Sequence, residues 1–134
     1  MKTTFICLLA ASFLSGCATH QPPKRYAWVT GLKREKAAHY EDLHAHPWPS
    51  VNRMLKECHI RNYSIHECEI RGQLYLFSYL EYTGDNFDAD MKKMAADSET
   101  KRWWKQTDPC QLPLPDAAAK GKIWSETKEV YYLK

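Results

Sequence analysis

The residues best suited to chemistry lie in one short stretch, His39-Tyr40-Glu41-Asp42-Leu43-His44-Ala45-His46-Pro47-Trp48-Pro49. Tyr40 and His44 are four positions apart, so a helix would place them on one face, a turn from each other. A phenol beside an imidazole, next to an indole, can move protons on a small polar ligand. The plainer reading is that a histidine on a helix is more often a surface or core residue. Three histidines also suggest a metal site. His44 and His46 flank a helix break and could converge on an ion, but His39 and His44 are five apart and share a helix face poorly. Further along, Asn62-Tyr63, Trp103-Trp104 and Glu129-Val130-Tyr131-Tyr132-Leu133 carry the remaining aromatic and polar groups that a ligand could use.

These groups need elements to position them. Arg25 to Leu32 alternates, with Tyr26, Trp28, Thr30 and Leu32 on one face, and reads as a strand. Lys33 to His44 is rich in helix formers, with Ala37, Tyr40, Leu43 and His44 on one face. Pro47 and Pro49 break that helix, and Pro49 opens a second segment running to about Cys58. Ile60 to Glu69 reads as a strand of uncertain register. Arg71-Gly72-Gln73 is a tight turn into Leu74–Tyr82, the most strand-like run in the chain. Asn86 to Ala96 carries a helical stripe. Ser98 is a candidate cap for a further short helix holding Trp103 and Trp104. Thr107 to Gly121 contains three prolines, shows no periodicity and is expected to be a long loop. Thr127 to Leu133 is expected to be the last strand. The order β-α-β-β-α-β predicts an α+β, ferredoxin-like fold: a four-stranded antiparallel sheet with helices on one face. Its other face would hold aromatics, to be lined by a ligand, covered by the loop or packed on a second subunit.

The chain has 134 residues, enough for one domain and one core. Hydrophobic residues make up 44% and the net charge is only +3, without a basic block, which argues against nucleic-acid binding. Lys2 and the apolar run Phe5–Leu14 read as a secretory signal over residues 1–16. Leu14-Ser15-Gly16-Cys17 resembles the bacterial lipobox, which implies lipidation of Cys17, a membrane tether and a place in the cell envelope. Residues 17–24 would then be the lipidated cysteine and a polar linker, and 25–134 the folded domain. Cys58, Cys68 and Cys110 remain, an odd number at irregular spacing. They leave room for one bridge and make no disulfide framework.

Taken in order, Tyr40-x-x-x-His44, Trp48-Pro49, Asn62-Tyr63-x-Ile65, Arg102-Trp103-Trp104-Lys105 and Glu129-Val130-x-Tyr132-Leu133 resemble the L-rhamnose mutarotase family. The likeness extends from about Tyr26 to the C-terminus. It implies a protomer that pairs into a dimeric α/β barrel and interconverts the α and β anomers of a 6-deoxy aldose, with no cofactor and no metal. It matches His44 to the family's proton donor, Tyr40 and Tyr63 to its substrate-binding tyrosines, and Trp103 and Trp104 to its paired sugar-contacting tryptophans. The leader, the composition of Thr107–Gly121 and the order His46-Pro47 depart from the family. Three rival readings remain open: a small monooxygenase or haem-handling barrel, the histidine metal site, and a non-catalytic sugar-binding surface lipoprotein.

Overall fold

The computed structural model describes residues 22–133. The expected signal at 1–16, Cys17 and the first part of the linker lie outside them. Strand β1 (Lys24–Leu32) is followed by a 3-10 turn at Arg34–Lys36 and by helices α1 (Ala37–Ala45) and α2 (Pro49–Glu57). Strands β2 (Ile60–Ile70) and β3 (Gln73–Tyr82) form a hairpin, after which come helices α3 (Phe87–Ala96) and α4 (Ser98–Thr107). A second 3-10 turn at Asp108–Cys110 leads into β4 (Gln111–Leu112), α5 (Pro115–Ala118) and β5 (Ser125–Glu126).

All pairings are antiparallel, in the order β2-β3-β1-β4, and β5 also pairs with β1. β1 runs beside β3 from Lys24↔Tyr82 to Leu32↔Leu74. Its other edge takes β4 at Gly31 and Leu32, and β5 at Trp28 and Val29. The fourth strand of the expected ferredoxin-like sheet is therefore present but divided between two short pieces. The expected strand at Thr127–Leu133 is corrected: pairing with β1 involves Ser125–Glu126, and beyond a last backbone bond from the Thr127 N–H to the Ala27 carbonyl at 3.1 Å the tail is held by side chains. Arg25 makes two hydrogen bonds to the Glu129 carboxylate, at 2.7 and 2.8 Å, and lies 3.4 Å from the centre of the Tyr132 ring. The expected loop at Thr107–Gly121 is also corrected, because it contains β4 and α5. Gly31 permits the approach of β4: a Cβ there would meet the Leu112 carbonyl oxygen at 2.8 Å.

Period-two alternation decides what is inside. Leu32, Leu74 and Leu76 join Tyr40 and Cys110 in one buried cluster. Leu80, Tyr82 and Ile60 join Cys58 and Met94 in a second, with Tyr26, Trp28, Phe87 and Trp104 packed against it. Cys58, Cys68 and Cys110 are all free thiols. The hairpin turn Arg71-Gly72 has φ values of 52° and 81°, the left-handed pair that joins twisted strands through two residues. The helix carrying the tryptophans is capped by Asp97, not Ser98: the Asp97 carboxylate accepts from the Thr100 backbone N–H at 2.7 Å and its hydroxyl at 2.9 Å.

One polar cluster ties the second core together. Asp90 on α3 accepts from the Tyr82 hydroxyl at 2.6 Å and bonds His59 Nδ1 at 2.9 Å. Tyr82 is fully buried, so its hydroxyl depends on this partner. The two bonds hold the Asp90 carboxyl below its ordinary range, the Tyr82 hydroxyl first among the causes. That contribution is complete above the unfolded-state pKa of about 3.9 and is lost as pH falls through the lower folded-state value. Tyr82→Phe is expected to lower stability by about 1.5–3 kcal/mol in urea denaturation at pH 7. The loss should shrink when the measurement is repeated at pH 3.

Candidate functional site

Helix α1 ends where Pro47 cannot supply the next N–H. His46 N–H still reaches the Asp42 carbonyl at 3.1 Å, and the helix stops there. His44 therefore lies in the last turn of α1. Its Nδ1 is 2.8 Å from the Tyr40 carbonyl oxygen, and its ring centre is 4.2 Å from that of Tyr40. A carbonyl only accepts, so Nδ1 carries the hydrogen. In the neutral ring Nε2 is then a bare acceptor. Burial lowers the His44 pKa, which keeps the ring neutral, while the bond to Tyr40 opposes that shift.

The two prolines also place Trp48. The residue before Pro49 is driven to extended backbone, and Trp48 has φ −67° and ψ 129°. This carries its indole to an edge contact with Trp103, with centres 5.4 Å apart. Trp103 also meets His44 edge-on at 5.2 Å. Tyr40, His44, Trp48 and Trp103 are thus one aromatic group spanning α1, the break and α4. Trp104, one residue on, turns by about 100° and packs against the second core cluster. The paired tryptophans therefore do not present one continuous surface.

Tyr63 reaches the helix-covered side of the sheet through a bulge. Arg61 pairs with Glu81 and Ser64 with Tyr79, so Asn62 and Tyr63 together oppose Leu80 alone. Asn62 takes the left-handed conformation, φ 48°, which asparagine tolerates, and donates from Nδ2 to Glu81 at 2.7 Å. The extra residue puts Tyr63 on the same side as Leu80. Tyr63 is 44% exposed overall, and the desolvation it does undergo pushes the phenol up to about 12. Tyr40 is pushed further up, chiefly by burial, with smaller contributions from nearby Tyr63 and Asp108. The Asp108 carboxyl is itself raised by burial.

Gln111 is a member of this group that the sequence does not announce. It pairs with Leu32 in β4, and its side chain meets the Tyr40 hydroxyl at 3.5 Å. It sits in a proline-rich stretch without periodicity, where no pattern marks it. Asn62 has a weak signal, as a turn-favouring residue inside a strand-like run. His39 and His46 stay out: His46 turns back to Asp42 at the exposed end of α1. No group of three or more His, Cys, Asp or Glu residues with metal-holding geometry occurs among the described residues. A separate groove of about 940 Å³, lined by Arg25, Tyr26, Phe87 and the tail from Glu126 to Tyr131, contains none of the candidate residues.

The arrangement supplies a neutral base flanked by protonated phenols and flat apolar indoles. Those are parts for proton transfer on an uncharged, hydroxyl-rich ring. Comparison with known proteins gives a consistent result. The family model described as L-rhamnose mutarotase matches residues 25–133. L-rhamnose mutarotase of Bacillus subtilis is 31% identical over 110 residues, covering 82% of this chain and 98% of its own. That of Lactiplantibacillus plantarum is 28% identical over 109 residues, covering 81% and 97%. The crystal structure of L-rhamnose mutarotase from Formosa agariphila superposes with a TM-score of 0.62 at 23% identity, over 83% of this chain and 99% of that one. Tetracenomycin F2 cyclase from Streptomyces glaucescens shares the fold with a TM-score of 0.54 at 13% identity, over the same 83% of this chain.

The expected place in the cell envelope is corrected by these matches. The two curated relatives are matched over 97–98% of their own lengths, which leaves them too few further residues for a leader or an anchor. No described helix is long and apolar enough to cross a membrane. The His44 environment makes a direct prediction. Its imidazole should titrate below about 6.5 when followed by NMR against pH. Native-state stability should be full above that value and fall as pH drops through the folded-state pKa, because the buried ring must take on charge. A midpoint at or above 6.5 would contradict the buried, neutral tautomer.

Proposed function

The chain belongs to the L-rhamnose mutarotase family, and from that premise we propose that the His44 face is the site of a cofactor-independent aldose mutarotase. The substrate is a 6-deoxy sugar of the L-rhamnose type, whose α and β anomers it interconverts. One observation carries the assignment of the site: the Tyr40 carbonyl fixes His44 as the Nδ1–H tautomer, leaving Nε2 free to act as a base.

Mutarotation opens a hemiacetal. The anomeric hydroxyl gives its proton to His44 Nε2, the bond from the anomeric carbon to the ring oxygen breaks, and the hydroxyl oxygen becomes a carbonyl. The departing ring oxygen takes up a proton from water, and its hydroxyl gives one back to water when it attacks the carbonyl again. Rotation presents the other carbonyl face, and closure returns a proton to the new anomeric hydroxyl. The imidazolium formed in the first half is the proton donor in the second. Tyr40 and Tyr63 stay protonated at working pH, as ordinary phenols do, and burial moves both further from ionising. Their role is to donate hydrogen bonds to sugar oxygens, the ring oxygen included. Trp103 offers an indole to the C–H side of the ring, and Trp104 walls the neighbouring part of the sheet.

The reading includes a homodimer formed through the open face of the sheet. Phe77 on that face is 38% exposed, flanked by Val29 and His66 in the neighbouring strands. A second copy is the partner that would cover it and the apolar tail.

Two measurements test the proposal. Magnetisation exchange between the anomeric NMR signals of L-rhamnose at equilibrium should accelerate with the protein. His44→Asn should slow that exchange by about 10²–10⁴-fold while sugar binding survives. No acceleration by the unaltered protein for L-rhamnose, L-fucose or related aldoses would sink the assignment. Light scattering at micromolar concentration should give twice the chain mass, and Phe77→Glu should halve it. A monomer before substitution would count against face-to-face pairing.

A further inference from the structure

Gln111 is 5% exposed. One atom of its amide, Nε2, is 3.5 Å from the Tyr40 hydroxyl, and the other, Oε1, has no hydrogen-bond partner. It is the one buried side-chain oxygen or nitrogen so placed among the described residues. Turning the amide over exchanges the two atoms without removing the orphan. Buried polar atoms are almost always satisfied, and the exceptions cluster where a ligand or water completes the bond. The orphan here lies on the same amide that touches Tyr40, beside the group formed with His44 and Tyr63.

The backbone explains why this amide is held there. Lys33 N–H bonds the Cys110 carbonyl at 2.9 Å, and Gln111 pairs with Leu32. The Thr30 hydroxyl donates to the Ile123 carbonyl at 2.9 Å, fixing the returning chain alongside. Gly31 lets this segment come close. The side chain is therefore aimed by a strand rather than carried on a free loop.

We propose that Gln111 is a sugar-positioning residue: one end of its amide orients the Tyr40 phenol and the other bonds a hydroxyl of the bound aldose. The inference rests on the mutarotase reading for the identity of the ligand. The contact is made equally to ground state and transition state, so it governs affinity more than turnover.

The test uses Gln111→Met, which keeps the volume and removes both polar atoms. KM for L-rhamnose, from anomer exchange, should rise about ten- to a hundredfold, with kcat within a few-fold of the unaltered protein. The thermal midpoint should be unchanged or higher, because a buried group without a partner has gone. An unchanged KM overturns the proposal and leaves a buried water as the partner of Oε1. Should the variant fail to fold, the side-chain ¹⁵N–H signals of Gln111 in the unaltered protein take its place. They should shift as L-rhamnose is added, and no shift overturns the proposal. Failure of the mutarotase reading is distinguishable. If the sugar binds without anomer exchange and Gln111→Met weakens that binding, Gln111 keeps its role and the reaction is lost. If no aldose binds, both fall.

Discussion

Pro47 has no N–H to offer the Leu43 carbonyl, and the site is assembled where that missing bond stops α1. The stop comes just over a turn after Tyr40, so His44 falls in the last turn and bends its Nδ1 back to the Tyr40 carbonyl. Pro49 then holds Trp48 in extended backbone, which starts α2 in a new direction and sends the indole across to Trp103. An uninterrupted helix would keep Trp48 on α1, four residues beyond His44, and α2 could not turn to pack against α4. Two residues without backbone donors thus set where α1 ends and what stands beside His44.

The charge state of the site follows a single rule. Burial lowers the His44 imidazole and raises Tyr40, Tyr63 and Asp108, and in each it is the leading cause. Every shift runs toward the neutral form. A site tuned in this way suits an uncharged substrate whose reaction only relocates protons. It contrasts with the Asp90 cluster at the other end of β3, where hydrogen bonds to Tyr82 and His59 favour the charged carboxylate. The same small sheet supports an ionised structural tie and a neutral reactive face, separated by which side chains are left to water.

Most of the framework was legible in the sequence. The four-residue spacing of Tyr40 and His44, the two prolines and the alternation of β1 and β3 each depend on neighbours close in the chain. The register of β2 was not legible, because the extra residue at Asn62–Tyr63 shifts the alternation halfway along. The helix cap was misplaced by one: Asp97 and Ser98 are both capping residues, and the Asp97 carboxylate takes both the N–H and the hydroxyl of Thr100. β4 and β5 are two residues each, too short for any periodicity to show. Gln111 was invisible for a deeper reason. Its partner Tyr40 is 71 residues away, and only the completed fold brings them together.

That separation bears on the order in which the molecule forms. The β2–β3 hairpin and the pairing of β3 with β1 supply most of the sheet, whereas the edge carrying β4 and β5 is held by four paired positions. Segments with few backbone bonds are the ones that open locally in proteins, and contacts between residues far apart in the chain are the slowest to form. The β1–β3 and β2–β3 pairings do not involve this edge, so they do not require Gln111 to stand against Tyr40. Amide exchange at Gln111 and Leu112 is the measurement that reads opening of this edge.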